Sequence, residues 1–124
     1  MNNSDQKALK GLELFYVSYD AMTDYPIILP VGNTKAGRAT SLHDAFRAEK
    51  RCLNGLEIKA VFTVGIASKN SMLVSKNVEK QLQKVFASVN RKHKDTGNDG
   101  ENYWIEPTRI IEWIEINTDF TRIF

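Results

Sequence analysis

One cysteine, Cys52, is the only thiol in this 124-residue chain, which excludes an intramolecular disulfide. A thiol needs a base or a local positive field to be activated, and Cys52 reads as core packing rather than as a nucleophile. The sequence also lacks an apolar run long enough to span a bilayer and a signal-like apolar region near Met1. The expectation is a soluble, cytoplasmic-type protein with no membrane partner. No nucleophile–base pair, phosphate loop or metal cluster is visible, so a small-molecule enzyme is the least expected class. The acidic loop at residues 95–102, DTGNDGEN, lacks the alternating oxygen ligands and closing glutamate of a calcium loop and reads as a linker.

What the chain does have is enough apolar content, 42%, for one domain over residues 1–124 with a modest core, residues 1–10 being expected to fray. Its net charge of +2 conceals a segregation: residues 1–34 carry −2, residues 35–94 carry +9, and residues 95–124 carry −5. A basic block between acidic ends suits a protein that presents one face to a polyanion, or one whose ends neutralise its middle.

Aromatic and β-branched residues at 12–19, LELFYVSY, predict a strand. The run at 25–31 is extended, its two prolines placing it at an edge, and residues 32–34 form the turn into a short strand at 35–38. Thr40 or Ser41 caps a helix reaching Leu53, with His43, Arg47, Lys50 and Arg51 along one basic side. Residues 56–66 alternate with Leu56, Ile58, Ala60, Phe62, Val64 and Ile66 on one face, the clearest strand pattern in the chain. A long helix capped by Ser71 or Ser75 is predicted to reach about His93, with Val78, Leu82, Val85, Phe86 and Val89 inward, Lys76, Lys80 and Lys84 outward, and Arg91 near its end. Residues 103–105 form an aromatic anchor, Pro107 opens a last helix with Ile110, Ile111 and Ile114 inward, and the tail docks through Phe120, Ile123 and Phe124.

These residues resemble the GIY-YIG nuclease superfamily, in the branch whose second signature reads KIG. The matching pieces are Lys35-Ala36-Gly37-Arg38, the following capped helix, the strand at 56–66, the long helix with Val78-Glu79, Asn90-Arg91 and Tyr103-Trp104-Ile105. The resemblance implies an α+β fold, a small antiparallel sheet of about three strands flanked by helices. It also implies a metal-dependent phosphodiesterase site: Glu79 as ligand of Mg²⁺ or Mn²⁺, a tyrosine from the first signature, and cations around the scissile phosphate. Tyr16 has the strand character of that signature, whereas Tyr25 has the usual separation from Lys35. Lys35 stands in the place of the second tyrosine, and Ala45 stands where the family has an arginine. Arg38 is a candidate replacement for that arginine, as is Arg47 with a shifted register.

Three functions follow as expectations. One is a DNA endonuclease or nickase using Tyr16, Lys35, Arg38 and Glu79. Another is a degraded member of that fold that binds nucleic acid through His43, Arg47, Lys50, Arg51, Lys76, Lys80, Lys84 and Arg91 without cutting it. The third is a protein-interaction domain of phage or mobile-element type, with Trp104 or Trp113 exposed.

Overall fold

A computed structural model describes residues 11–20, 32–39, 56–91 and 101–124, with Leu56 and Arg91 described by their backbone alone. In chain order these form β1 (Leu12–Asp20), β2 (Asn33–Ala39), β3 (Leu56–Ile66), α1 (Lys69–Val85), β4 (Asn90–Arg91), β5 (Asn102–Tyr103), α2 (Pro107–Asn117) and β6 (Thr121–Arg122). The fold is α+β, and every strand pairing among the described residues is antiparallel. The sheet runs β4-β5-β2-β1-β3-β6, wider than the expected three strands because three two-residue strands extend the long ones. Such short strands carry no readable period. The predicted elements at 25–31 and 41–53 lie outside the described residues, and with them Tyr25, His43, Ala45, Arg47, Lys50 and Arg51.

β1 sits between β2 and β3, and Glu13 to Ser18 are all buried. Its alternating side chains therefore serve two cores. Phe15 and Val17 join Ala36, Ala60, Phe62, Val78, Leu82, Phe86, Tyr103 and the inward isoleucines of α2 on the helix-covered face. Leu14 and Tyr16 join Ala39, Ile58 and Val61 on the opposite face.

β3 forms as predicted, but not with one apolar face. Its pairing with β1 passes from Val17↔Ala60 to Ser18↔Ile58, and from Glu13↔Gly65 to Leu14↔Thr63. An extra residue on β3 at each step, Lys59 and then Val64, bulges the strand and reverses its alternation. Ile58 thus lies on the opposite face from Ala60 and Phe62, and Ile66 is exposed. Gly65 supports the second bulge with φ +143°, a backbone geometry that side chains rarely adopt.

α1 begins earlier than predicted. Ser68 is its cap: the Ser71 N–H donates to Ser68 Oγ at 3.1 Å and the Ser68 N–H donates to Ser71 Oγ at 2.8 Å, a reciprocal box that leaves Ser71 and Ser75 inside the helix. The helix ends at Val85, well before His93, because Asn90 and Arg91 pair with β5 and the Trp104 N–H donates to the Val89 carbonyl at 2.8 Å. Arg91 is thus a strand residue. Val85 lies about 60° round the helix from Leu82 and is exposed, contrary to its predicted inward place. α2 buries Ile110, Ile111 and Ile114 behind Pro107, as predicted. In the tail, Phe120 packs on Phe15 with ring centroids 5.8 Å apart and Ile123 packs against the second core, while Phe124 is exposed and its backbone pairs with Val61.

Candidate functional site

β2 is paired with β1 on one side along its length, but on the other side β5 covers only Thr34 and Lys35. The outward N–H groups beyond that point need other partners. The Ala36 N–H donates to the Glu101 carbonyl and the Arg38 N–H donates to Glu79 Oε1, each at 3.0 Å. These two donors stand about 7 Å apart along the strand, with Gly37 between them. One glutamate from α1 and one from the approach to β5 therefore meet the same edge.

The Glu101 side chain lies over Gly37. A methyl group added there would come within 3.2 Å of Glu101 Cδ and 3.3 Å of Oε1. Gly37 has no left-handed backbone geometry, so its value here is the space it leaves for a carboxyl group. Lys35, on the same strand face, brings Nζ to 3.9 Å from Glu101 Oε2. Tyr16 stands directly across the ladder from Gly37. Opposed residues in an antiparallel pair project to the same face, so the Tyr16 ring rises beside the Glu101 carboxyl.

Three groups at this edge are shifted, Tyr16, Glu79 and Tyr103, and the charge of Glu101 is among the causes in each. Burial pushes the Tyr16 hydroxyl upward, and the charges of Glu101 and then Glu79 push it further. Burial also raises Glu79; the Arg38 N–H opposes that, Glu101 adds to it, and Arg38 and Lys76 oppose it again. Below the edge, fully buried Tyr103 is raised by burial and further by the charges of Glu79 and Glu101, with neighbouring Asn90 opposing them. Two carboxylates and two phenols thus share one field at the β2 edge.

Arg38 does not complete this group as expected. Three residues apart on one strand, Lys35 and Arg38 face opposite sides of the sheet. The Arg38 guanidinium instead grips Glu13, Nε to Oε1 at 2.7 Å and Nη2 to Oε2 at 3.1 Å. That pairing, ahead of the opposing effect of desolvation, holds the guanidinium charge firmly. The backbone N–H of Arg38 reaches Glu79 directly, and the guanidinium, held by Glu13, acts on that carboxylate through its charge.

The structure brings the predicted residues Glu79 and Lys35 to the β2 edge, together with Glu101, which sequence reasoning does not single out. The glutamate sits in a turn-rich stretch, and the signal that could have identified it is its position two residues before Tyr103, which is fully buried. Lys76, Lys80 and Lys84 are exposed as predicted. Lys80 and Lys84 line a hollow of about 600 Å³ with Asn77, Gln83 and Asn90. Trp104 and Trp113 are half-buried rather than exposed. Among the described residues, no helix is long and apolar enough to cross a membrane. No group of three or more His, Cys, Asp or Glu side chains assembles among them. No family model matches the chain, and no curated protein or solved structure matches it significantly.

Proposed function

We propose that this chain is a GIY-YIG-like, divalent-metal-dependent endonuclease or nickase acting on DNA. The observation that carries the reading is that Tyr16 and Lys35, on one face of the sheet, and Glu79, reaching from α1 on the other, all come to the β2 edge at residues 35–38. The donor set suits a hard cation, since Mg²⁺ takes one or two carboxylate oxygens and keeps several waters. Glu79 would hold Mg²⁺ or Mn²⁺, which when bound supplies Lewis-acid stabilisation to a phosphate oxygen. Lys35 adds a fixed positive charge. Tyr16, kept protonated by burial and its acidic neighbours, donates a hydrogen bond to the phosphate while water is the nucleophile. Lys76 lies about 60° round α1 from Glu79, so the exposed lysine ladder begins beside the site and offers a path for the phosphate backbone.

Supercoiled plasmid incubated with the protein and Mg²⁺ or Mn²⁺ is expected to become nicked, and chelation by EDTA to stop it. A protein that binds the plasmid with steep salt dependence yet leaves it intact with either cation would overturn the nuclease reading. It would favour instead the non-cutting module, for which the engagement of Arg38 by Glu13 and of Lys35 by Glu101 already argues.

Tyr16→Phe separates site from scaffold. The hydroxyl makes no hydrogen bond among the described residues, so its removal should leave the melting temperature unchanged or slightly raised. Nicking should fall by about 10²-fold, the scale of one lost donor to a developing charge. Normal nicking by Tyr16→Phe would remove Tyr16 from the site.

A further inference from the structure

Ser18 is a buried polar residue that the reading above does not use. It is 1% exposed, and its Oγ has no hydrogen-bond partner. A buried hydroxyl left unpaired is costly, and its neighbours narrow the partner that suits it. Across β3 it stands opposite Ile58 of the second core, and across β2 it stands opposite Lys35. Two residues earlier, Tyr16 stands opposite Gly37. Opposed residues, and residues two apart on one strand, share a face, so Tyr16, Ser18, Lys35 and Gly37 form a four-cornered block on one side of the sheet. Three corners carry donors: a phenol that burial and the charge of Glu101 keep protonated, a hydroxyl and an ammonium group. The fourth corner is a glycine, and the Glu101 carboxyl lies over it, with Cδ 3.2 Å from the place a Cβ would take. A carboxylate set among three donors is an internal anion, yet it is held loosely. Lys35 Nζ is 3.9 Å from Oε2, with both side chains more than a quarter exposed, a weak and readily exchanged pair, and Ser18 gives the carboxylate no hydrogen bond.

We propose that Tyr16, Ser18 and Lys35 around Gly37 form a seat for a phosphate oxyanion, that the Glu101 carboxyl group fills it in the free protein, and that the Ser18 hydroxyl donates to the phosphate once that carboxyl group is displaced. The inference rests on the reading of a phosphodiester substrate and adds to it one contact and one internal competitor. A phosphate group suits the donors better than the carboxylate does. Its oxygens point in four directions, so a single group can accept from Lys35 and from Ser18 on the adjoining strand, whereas a planar carboxylate tethered over Gly37 serves Lys35 alone. Exchange of the weak pair between Lys35 and Glu101 is the movement that admits the ligand, and the glycine leaves room for either anion.

The test is binding without cutting, with EDTA present and circular dichroism confirming the fold of each variant. Inorganic phosphate, followed by the broadening of its phosphorus resonance, and a fluorescent DNA duplex, followed by anisotropy, are each titrated with the full chain. Ser18→Ala should lower the affinity for both probes by about tenfold, the scale of one hydrogen bond to a charged group, while its melting temperature stays unchanged or rises because the unpaired hydroxyl is gone. Glu101→Gln should raise both affinities by about tenfold, since a competitor and a like charge beside the ligand are removed together. Glu112→Gln, the same change of charge at an exposed position of α2, should raise them far less. Effects on inorganic phosphate alone would keep the seat and assign it to free phosphate rather than to DNA. If Ser18→Ala binds both probes like wild type, or Glu101→Gln gains no more than Glu112→Gln, the inference fails, and the nuclease reading stands so long as wild type nicks plasmid. If the variants behave as expected but wild type nicks no DNA with either cation, the inference stands and the nuclease reading fails.

Discussion

Arg38→Met is expected to destabilise the protein by about 3 kcal/mol, the scale on which removing one partner of a buried ion pair acts. The Glu13 side chain is 3% exposed and receives both hydrogen bonds of the Arg38 fork. Methionine retains much of the apolar volume of the arginine stem but leaves a carboxylate in the sheet with neither water nor a counter-charge. For a domain of this size the melting temperature should fall by roughly 10 °C. The same argument predicts rescue: Glu13→Leu combined with Arg38→Met removes the stranded charge and should recover most of the loss, because well-packed apolar replacements of such pairs are often neutral. Thermal denaturation of wild type, the single variant and the pair measures the coupling. A single variant as stable as wild type would show that the pair contributes nothing. Because the contact of Arg38 with Glu79 is made by its backbone N–H, the folded variant should retain much of its Mn²⁺ affinity.

The prominence of this pair illustrates what the sequence reveals and what it conceals. Strong periodic segments are legible: β1 from its aromatic and β-branched run, α1 and α2 from their apolar spacing. The three two-residue strands are not, since pairing partners rather than local pattern create them. One of them shortened α1, because Asn90 and Arg91 gain a ladder with β5 that outweighs another helical turn. The bulges in β3 were equally hidden, because alternation in sequence cannot show where the partner strand skips a residue. At the site, Glu79 was legible as the acidic residue flanking the apolar stripe of α1, and Lys35 through its place in the KAGR turn. A strand through residues 33–39 sends positions 35 and 38 to opposite faces, so Lys35 and Arg38 could not share one side of the sheet. Glu101 was concealed by a different cause: its neighbours are turn formers, and its position depends on a main-chain bond to Ala36 from a distant part of the chain.

Glu79→Gln is expected to lower DNA nicking on the order of 10³-fold, the upper range for losing one electrostatic element of a catalytic site, while leaving the fold intact. The amide keeps an oxygen able to accept the Arg38 N–H, which now donates to Glu79 Oε1 at 3.0 Å. It also removes the negative charge at position 79, which burial disfavours most and the neighbouring charge of Glu101 disfavours further. Thermal stability should therefore be unchanged or slightly increased. Glu79→Ala makes the contrast: it strands a strand-edge donor and should cost about 1 kcal/mol in addition to the activity. Binding of DNA at low salt should survive both changes, because Lys76, Lys80 and Lys84 stay exposed along α1, and its logarithmic dependence on salt should match wild type. Nicking by Glu79→Gln at the wild-type rate would exclude this carboxylate from the chemistry. Equal loss of nicking and of DNA binding would instead place Glu79 among the residues that shape the binding surface, with the cutting function unsupported.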